Sequence, residues 1–262
     1  MNILFVGDVV SDIGRNMVKR NLPRLKKEYN IDLCIVNGEN SANGNGMLPS
    51  SADELFACGA DVITGGNHTF RRFEILNYLD ENEYALRPYN LLNRDAAGRG
   101  YVVYDMGKTQ ICVVNLIGNA YIDGYANAFY AIDDLLKEIK CKNIIIDFHA
   151  EATGEKAALA HYLDGRVTAI IGTHTHVQTA DATIFPNGLG FITDAGMTGP
   201  KWSVLGIRPD CAIARMKSST PVRFHAAEGE CKMDCVFLKI DEKSSKTLEI
   251  KSFEITDVAE NR

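Results

Sequence analysis

The chain has 262 residues, 46% of them hydrophobic and 24% charged, with 28 basic and 34 acidic side chains giving a formal charge of −6. Nothing in that composition divides the chain, so one domain over residues 1–262 with a sizeable core is expected. An acidic protein has no general electrostatic grip on nucleic acid, so no strong nucleic-acid binding is expected. No apolar run approaches a membrane span and no basic-then-apolar leader opens the chain, which argues against a membrane partner and for a cytoplasmic protein. The seven cysteines are odd in number and mostly sit in apolar runs, as in Leu33-Cys34-Ile35. That pattern reads as buried reduced thiols. Cys231 and Cys235 have no second Cys or His pair nearby to complete a zinc site.

In chain order, residues 2–6 are a short apolar run ending in Gly7-Asp8. Residues 13–29 have helical spacing, with Ser11 or Asp12 as N-cap and Pro23 expected to bend or restart the helix. A second strand over 33–36 ends in Asn37-Gly38-Glu39-Asn40, and the glycine-rich loop 41–50 that follows reads as the most mobile piece. A short helix over 51–58 is closed by Gly59. The strand 62–64 then ends in Gly65-Gly66-Asn67-His68, and a helix follows over 73–80. Residues 101–105 and 110–116 read as a hairpin around Gly107, and 128–140 as an amphipathic helix. The strand 143–146 leads into Asp147-Phe148-His149; after a helix over 155–163, the strand 167–171 ends in Gly172-Thr173-His174-Thr175-His176. Strands are expected at 189–193, 222–225, 231–240 and 248–255, and a helix at 208–217. Alternating strands and helices with a strand-rich C-terminal quarter predict an α/β fold. Its form is a layered α/β/β/α sandwich of two mixed sheets flanked by helices.

The informative feature is positional. Five strands each end in polar groups able to bind metal: Asp8, Glu39-Asn40, Asn67-His68, His149, and His174 with His176. Carboxyl ends of strands are where α/β sheets bind ligands, so separation in sequence is no obstacle to convergence. Two carboxylates, imidazoles and amide oxygens suit manganese, iron or zinc better than calcium, and lack the thiolates of a structural zinc site. Two metals sharing a carboxylate clamp the attacking and leaving oxygens of phosphate displacement. Singly, each residue has an ordinary reading: Asp8, Asn40 and Asn67 as turn formers, each histidine as a surface or core residue. Together, and in this order, they point to a metal site. His174 and His176 share a face if their segment is extended.

In order, these segments resemble the motifs of the calcineurin-like metallophosphoesterases. The stretches 147–153, 172–181 and 193–200 are further matches to the YmdB-type branch of bacterial phosphodiesterases, and the resemblance spans essentially the whole chain. It implies that Asp8, Glu39, Asn40 and His176 hold one metal. Glu39 bridges to a second, held with Asn67, His149 and His174. It also implies a metal-activated hydroxide as nucleophile and His68 as general acid. Asp8-Val9-Val10 lacks the superfamily's histidine, Glu39 stands for its bridging aspartate, and Asn67-His68-Thr69 lacks its acid. All three departures are those of the YmdB-type branch.

The implied function is a phosphodiesterase acting on a small-molecule phosphodiester, a 2',3'- or 3',5'-cyclic nucleotide, with two divalent metals, iron or manganese ahead of zinc or magnesium. The resemblance also implies a homo-oligomer. The rival functions are a phosphomonoesterase or nucleotidase with the same metals, and a regulatory RNA-related binding protein. Asp147, Glu151, Asp181 and Asp194 are acceptors that could orient ligand histidines, with capping or turn formation the ordinary alternative. Arg71 and Arg72 could meet substrate phosphate or simply start a solvated helix. His161 and His225 read as structural.

Overall fold

The computed structural model describes residues 1–218 and 221–257. Its first sheet contains β1 (Asn2–Val6), β2 (Asp8–Val9), β3 (Leu33–Asn37), β4 (Val62–Thr64), β11 (Met197–Pro200), β12 (Cys231–Asp241) and β13 (Lys246–Asp257). The strand path runs β2-β11-β12-β1-β3-β4, with β13 on β12. β1, β3 and β4 are parallel neighbours, so their C-terminal ends lie along one edge. The second sheet runs β5 (Tyr101–Asp105), β6 (Gln110–Ile117), β7 (Asn143–His149), β8 (Ala169–Thr173), β10 (Gly190–Ile192) and β9 (Thr183–Ile184). β6, β7, β8 and β10 are mutually parallel.

Alternation along β1 explains the layering, because successive side chains of a strand point to opposite faces. Ile3 and Phe5 face the second sheet and share a core with its Val113, Ile145 and Ile171. Leu4 and Val6 face the other way. That outer face is covered by α1 (Ser11–Glu28), α2 (Pro49–Ala57) and α3 (Ile75–Glu81), through Met17, Leu22, Leu55 and Leu79. On the far side of the second sheet, α4 (Ala128–Glu138) and α5 (Thr153–Leu163) bury Ile132, Leu135, Leu159 and Leu163 against Val114, Ile146 and Phe148. The result is the expected α/β/β/α sandwich. Among the described residues no helix is long and apolar enough to cross a membrane.

Three local expectations change. Residues 222–225 form no strand; only Ala226 makes an isolated bridge, to Ile207. Helix α1 runs unbroken through Pro23, which lies on its exposed face. Its N-cap position is Val10, while the Ser11 hydroxyl accepts the Ile13 N–H at 3.3 Å. The loop 41–50 is folded into turns by Ala42 N–H to Gly46 O and Asn45 N–H to Ala42 O, and it buries Ala42 and Met47. Helix α6 (Pro209–Lys217) stands where the sequence places it, and of the seven cysteines four are buried and three half-buried.

Candidate metal centre

The polar ends of β1, β3, β4, β7 and β8 meet at the junction of the two sheets. Two groups of side chains there have ligand atoms within 4.8 Å of one another: Glu39 with His149 and His174, and Asp8 with Glu39 and His176. Glu39 belongs to both. It is 1% exposed, on the turn after β3, and its Oε2 lies 3.3 Å from His149 Nε2 and accepts the His68 N–H at 3.1 Å.

The His149 ring is fixed by its other nitrogen. The Thr173 hydroxyl donates to Asp147 Oδ1 at 2.6 Å, so its oxygen must accept from His149 Nδ1 at 2.9 Å. That keeps a proton on Nδ1 and turns Nε2 toward the site as the nitrogen a metal would meet. Around Nε2 stand Asn67 Oδ1 at 2.9 Å, His174 Nδ1 at 3.0 Å and the Glu39 carboxylate. Acceptor atoms converge on this point, which therefore needs positive charge: a second proton on the His149 ring, or a metal ion in its place. The His174 Nε2, on the other side of its ring, lies 3.1 Å from Glu151 Oε2.

The second group has the same character. Asp8 is fully buried; its Oδ2 accepts the His174 N–H at 3.2 Å, and its Oδ1 has no hydrogen-bond partner among the described residues. An orphaned buried carboxylate oxygen is costly unless a cation meets it. His176 Nε2 lies 3.8 Å from that oxygen and 3.3 Å from the Asn40 amide nitrogen. The Asn40 Oδ1 points to His68 Nδ1 at 2.8 Å, so holding a metal through oxygen takes a half-turn of the amide. Space is also reserved: a Cβ on Gly66 would collide with Glu39 Oε2 and lie 2.5 Å from His149 Nε2.

The electrostatics agree with a cation-seeking site. Burial pushes the Asp8 carboxyl well above the usual carboxylate range, against the pull of His149. Burial also pushes Glu39 up, but His149 and His68 beside it outweigh that and hold it well below its usual range. Burial works against a charged His149, yet Glu39, Asp8 and Asp147 lift it to about 9. Burial and the neighbouring His149 lower His174 to about 4. Burial lowers His68 and His176. The acids draw positive charge to the point where the nitrogen ligands converge, which is what a divalent metal supplies. The residues present therefore fit a pair of metals.

All eight residues singled out in the sequence, Asp8, Glu39, Asn40, Asn67, His68, His149, His174 and His176, come together here. The route differs for two of them. His174 and His176 do not share the face of an extended segment: β8 ends at Thr173, and both adopt left-handed backbone, with φ of 103° and 64°. Each consequently joins a different ligand group. Of the four acids, Asp147 acts through Thr173, Glu151 meets His174, Asp194 accepts the Thr175 N–H at 3.0 Å, and Asp181 accepts the Thr193 N–H at 3.2 Å. Arg72 donates to Asn45 O, and His161 packs on Phe185. Sequence reading missed Thr173, Asn37, Thr64 and Lys156. Nothing marks them locally, because each is an ordinary residue of a strand or helix whose partner lies far along the chain.

A family model described as YmdB-like protein matches residues 4–253. The 2',3'-cyclic-nucleotide 2'-phosphodiesterase of Bacillus subtilis is 42% identical over 259 residues, covering 98% of each chain. A hypothetical protein from Thermus thermophilus superposes with a TM-score of 0.93 at 36% identity, over 98% of this chain and 100% of that one. A phosphatase from Mycoplasma pneumoniae gives a TM-score of 0.93 at 35% identity, over 98% and 93%. An NAD nucleotidase of Haemophilus influenzae shares the fold alone, with a TM-score of 0.59 at 12% identity, over 98% of this chain and 56% of that one.

Proposed function

The chain belongs to the YmdB-like protein family, and from that premise we propose that it is a metal-dependent phosphodiesterase acting on cyclic nucleotides. The observation that carries the reading is Glu39, common to two ligand groups that meet at the strand ends. In this reading Asp8, Glu39, Asn40 and His176 hold one metal, and Glu39, Asn67, His149 and His174 the other. Bound there, divalent iron or manganese supplies acidity to water and neutralises phosphoryl oxygen charge. The 2',3'-cyclic ring is the first substrate, being the one named for the Bacillus subtilis relative; the 3',5'-cyclic ring is the second.

The chain's own residues then orient and move protons. Water oxygen forms a bond to phosphorus, the phosphorus–oxygen bond to the ribose breaks, and the departing alkoxide needs a proton. In this reading His68 gives it. Asn40 lies 2.8 Å from the ring's Nδ1; with its amide turned to offer oxygen to a metal, its NH2 donates to Nδ1 and keeps the ring proton on Nε2 for the substrate, and the side chain is 30% exposed while His149 is sealed. A ring held at one nitrogen and open at the other suits a general acid better than a ligand.

The test is a substrate panel on purified protein: 2',3'- and 3',5'-cyclic nucleotides, nucleoside monophosphates and a nitrophenyl diester, before and after chelation. Cyclic diester turnover that is lost on chelation and restored by manganese or iron is expected. Turnover of monophosphates alone would favour a phosphomonoesterase. Hydrolysis of none by metal-loaded protein would favour the binding protein.

A further inference from the structure

The turn that carries His174 and His176 is strained; Asp8 Oδ2 accepts the His174 N–H at 3.2 Å, and further restraint comes from outside the ligand set. Left-handed backbone at a residue with a Cβ is unfavourable, and two such residues separated by one position persist only where the surroundings hold them. Beside Asp8, the Ala150 N–H on the Thr173 carbonyl and the Leu205 carbonyl on His176, the surroundings include one buried ion pair. Lys156, on α5 and 0% exposed, donates from Nζ to the Thr173 carbonyl at 2.8 Å and to Asp194 Oδ2 at 2.9 Å. Asp194, also 0% exposed, accepts the Thr175 N–H on that same Oδ2 at 3.0 Å and the Gly196 N–H on Oδ1 at 2.9 Å. His174 is thus bracketed: the peptide carbonyl before it and the N–H after it are both tied to the pair. The chain behind it cannot give way either, because even a Cβ at Gly172 would collide with Thr193 O and lie 3.0 Å from Lys156 Cδ.

A buried ammonium–carboxylate pair is poor evidence of added stability, since apolar side chains of the same volume often serve as well. Its value lies in direction: charged hydrogen bonds fix peptide groups where apolar contacts do not. We propose that Lys156 and Asp194 are positioning residues that hold the 173–176 turn so that His174 and His176 address two different metal positions. The proposal rests on reading those histidines as metal ligands.

The test compares Lys156→Met, the double variant Lys156→Met/Asp194→Asn, and Leu159→Ala, which truncates a buried core residue of the same helix. Manganese dissociation constants are measured by competition with a fluorescent chelator, and the unfolding temperature is measured on metal-free protein. The double variant leaves no unpaired buried charge, so it keeps the test open if Lys156→Met does not fold. Manganese binding is expected to weaken about 10–100-fold in the Lys156 variants, the size typical for groups that orient metal ligands. Leu159→Ala is expected to lower the unfolding temperature while binding manganese as wild type does. Wild-type affinity in the Lys156 variants, or an equal loss in Leu159→Ala, would overturn the positioning role. Absence of manganese binding in wild-type protein would overturn the ligand reading itself and the inference with it.

Discussion

Thr173→Val isolates one hydroxyl at the centre of the buried network. Valine has threonine's shape and the same β-branch, so no cavity opens and the rotamer is kept. What goes is a two-way bridge: the donor to Asp147 Oδ1 at 2.6 Å and the acceptor for His149 Nδ1 at 2.9 Å. Asp147 retains Thr64 and Asn37 as donors, whereas the His149 N–H is left with no acceptor in a site that is 0% exposed. Each broken partnership in a dry interior costs about 1–3 kcal/mol, so roughly 2–6 kcal/mol of stability should be lost. A domain's total is about 5–15 kcal/mol, so the variant should still fold. Metal binding should weaken about 10–100-fold, because Nε2 is no longer fixed as the ligating nitrogen. Thr173→Ser keeps the bridge and loses one methyl group, at about 1 kcal/mol, and should bind metal normally. Urea unfolding of the metal-free protein gives the first quantity and chelator competition the second. If valine binds metal as tightly as serine, the hydroxyl does not orient His149 and the reasoning fails.

Three further outcomes follow from the site. Gly66→Ala should lose both metals while keeping its far-ultraviolet circular dichroism, because the new methyl group collides with Glu39 Oε2; metal content by mass spectrometry checks it. Glu39→Gln should lose both metals, since a neutral amide cannot balance two adjacent dications, whereas Asn40→Ala should weaken one; the metal-to-protein ratio separates these, and two tightly held metals in the Glu39 variant would refute the bridge. His68→Ala should keep its metals and lose about 10²–10⁴-fold in kcat on cyclic nucleotides, with a smaller loss on a nitrophenyl ester whose leaving group needs no proton.

The candidate ligands were legible because each closes an apolar run, and apolar runs that alternate with helices place their ends together. The supporting residues were not. Lys156 looks like a solvated helix lysine until the structure buries it against Asp194, 38 positions away. Thr173 and Thr64 look like β-branched strand residues, and Asn37 like a turn former; their common partner, Asp147, is up to 110 positions distant. Strand β11 escaped because Met197-Thr198-Gly199-Pro200 has no alternation; it exists by pairing with β2 on one side and β12 on the other. Residues 222–225 carry strand-like side chains but find no ladder partner, so propensity without pairing produced nothing.

The two halves of the site come from different sheets: Asp8, Glu39, Asn40, Asn67 and His68 from the first, His149, His174 and His176 from the second. Apolar packing between the sheets is non-directional and cannot by itself hold ligand atoms to within a fraction of an ångström. Directional bonds across the junction do so. Asn37 and Thr64 of the first sheet donate to Asp147 of the second, and Asn115 of the second accepts the Gly65 N–H at 3.0 Å. This separates stability from metal binding. Ile145→Val, in the apolar layer between the sheets, should cost about 0.5–1.5 kcal/mol of stability and leave metal affinity unchanged. Asn115→Ala, which frees the Gly65 N–H beside Gly66 and Asn67, should weaken metal binding through the first-sheet half of the site. Chelator competition on the two variants decides between them. Equal effects on metal affinity would show that the apolar layers, rather than the polar junction, set the geometry of the site.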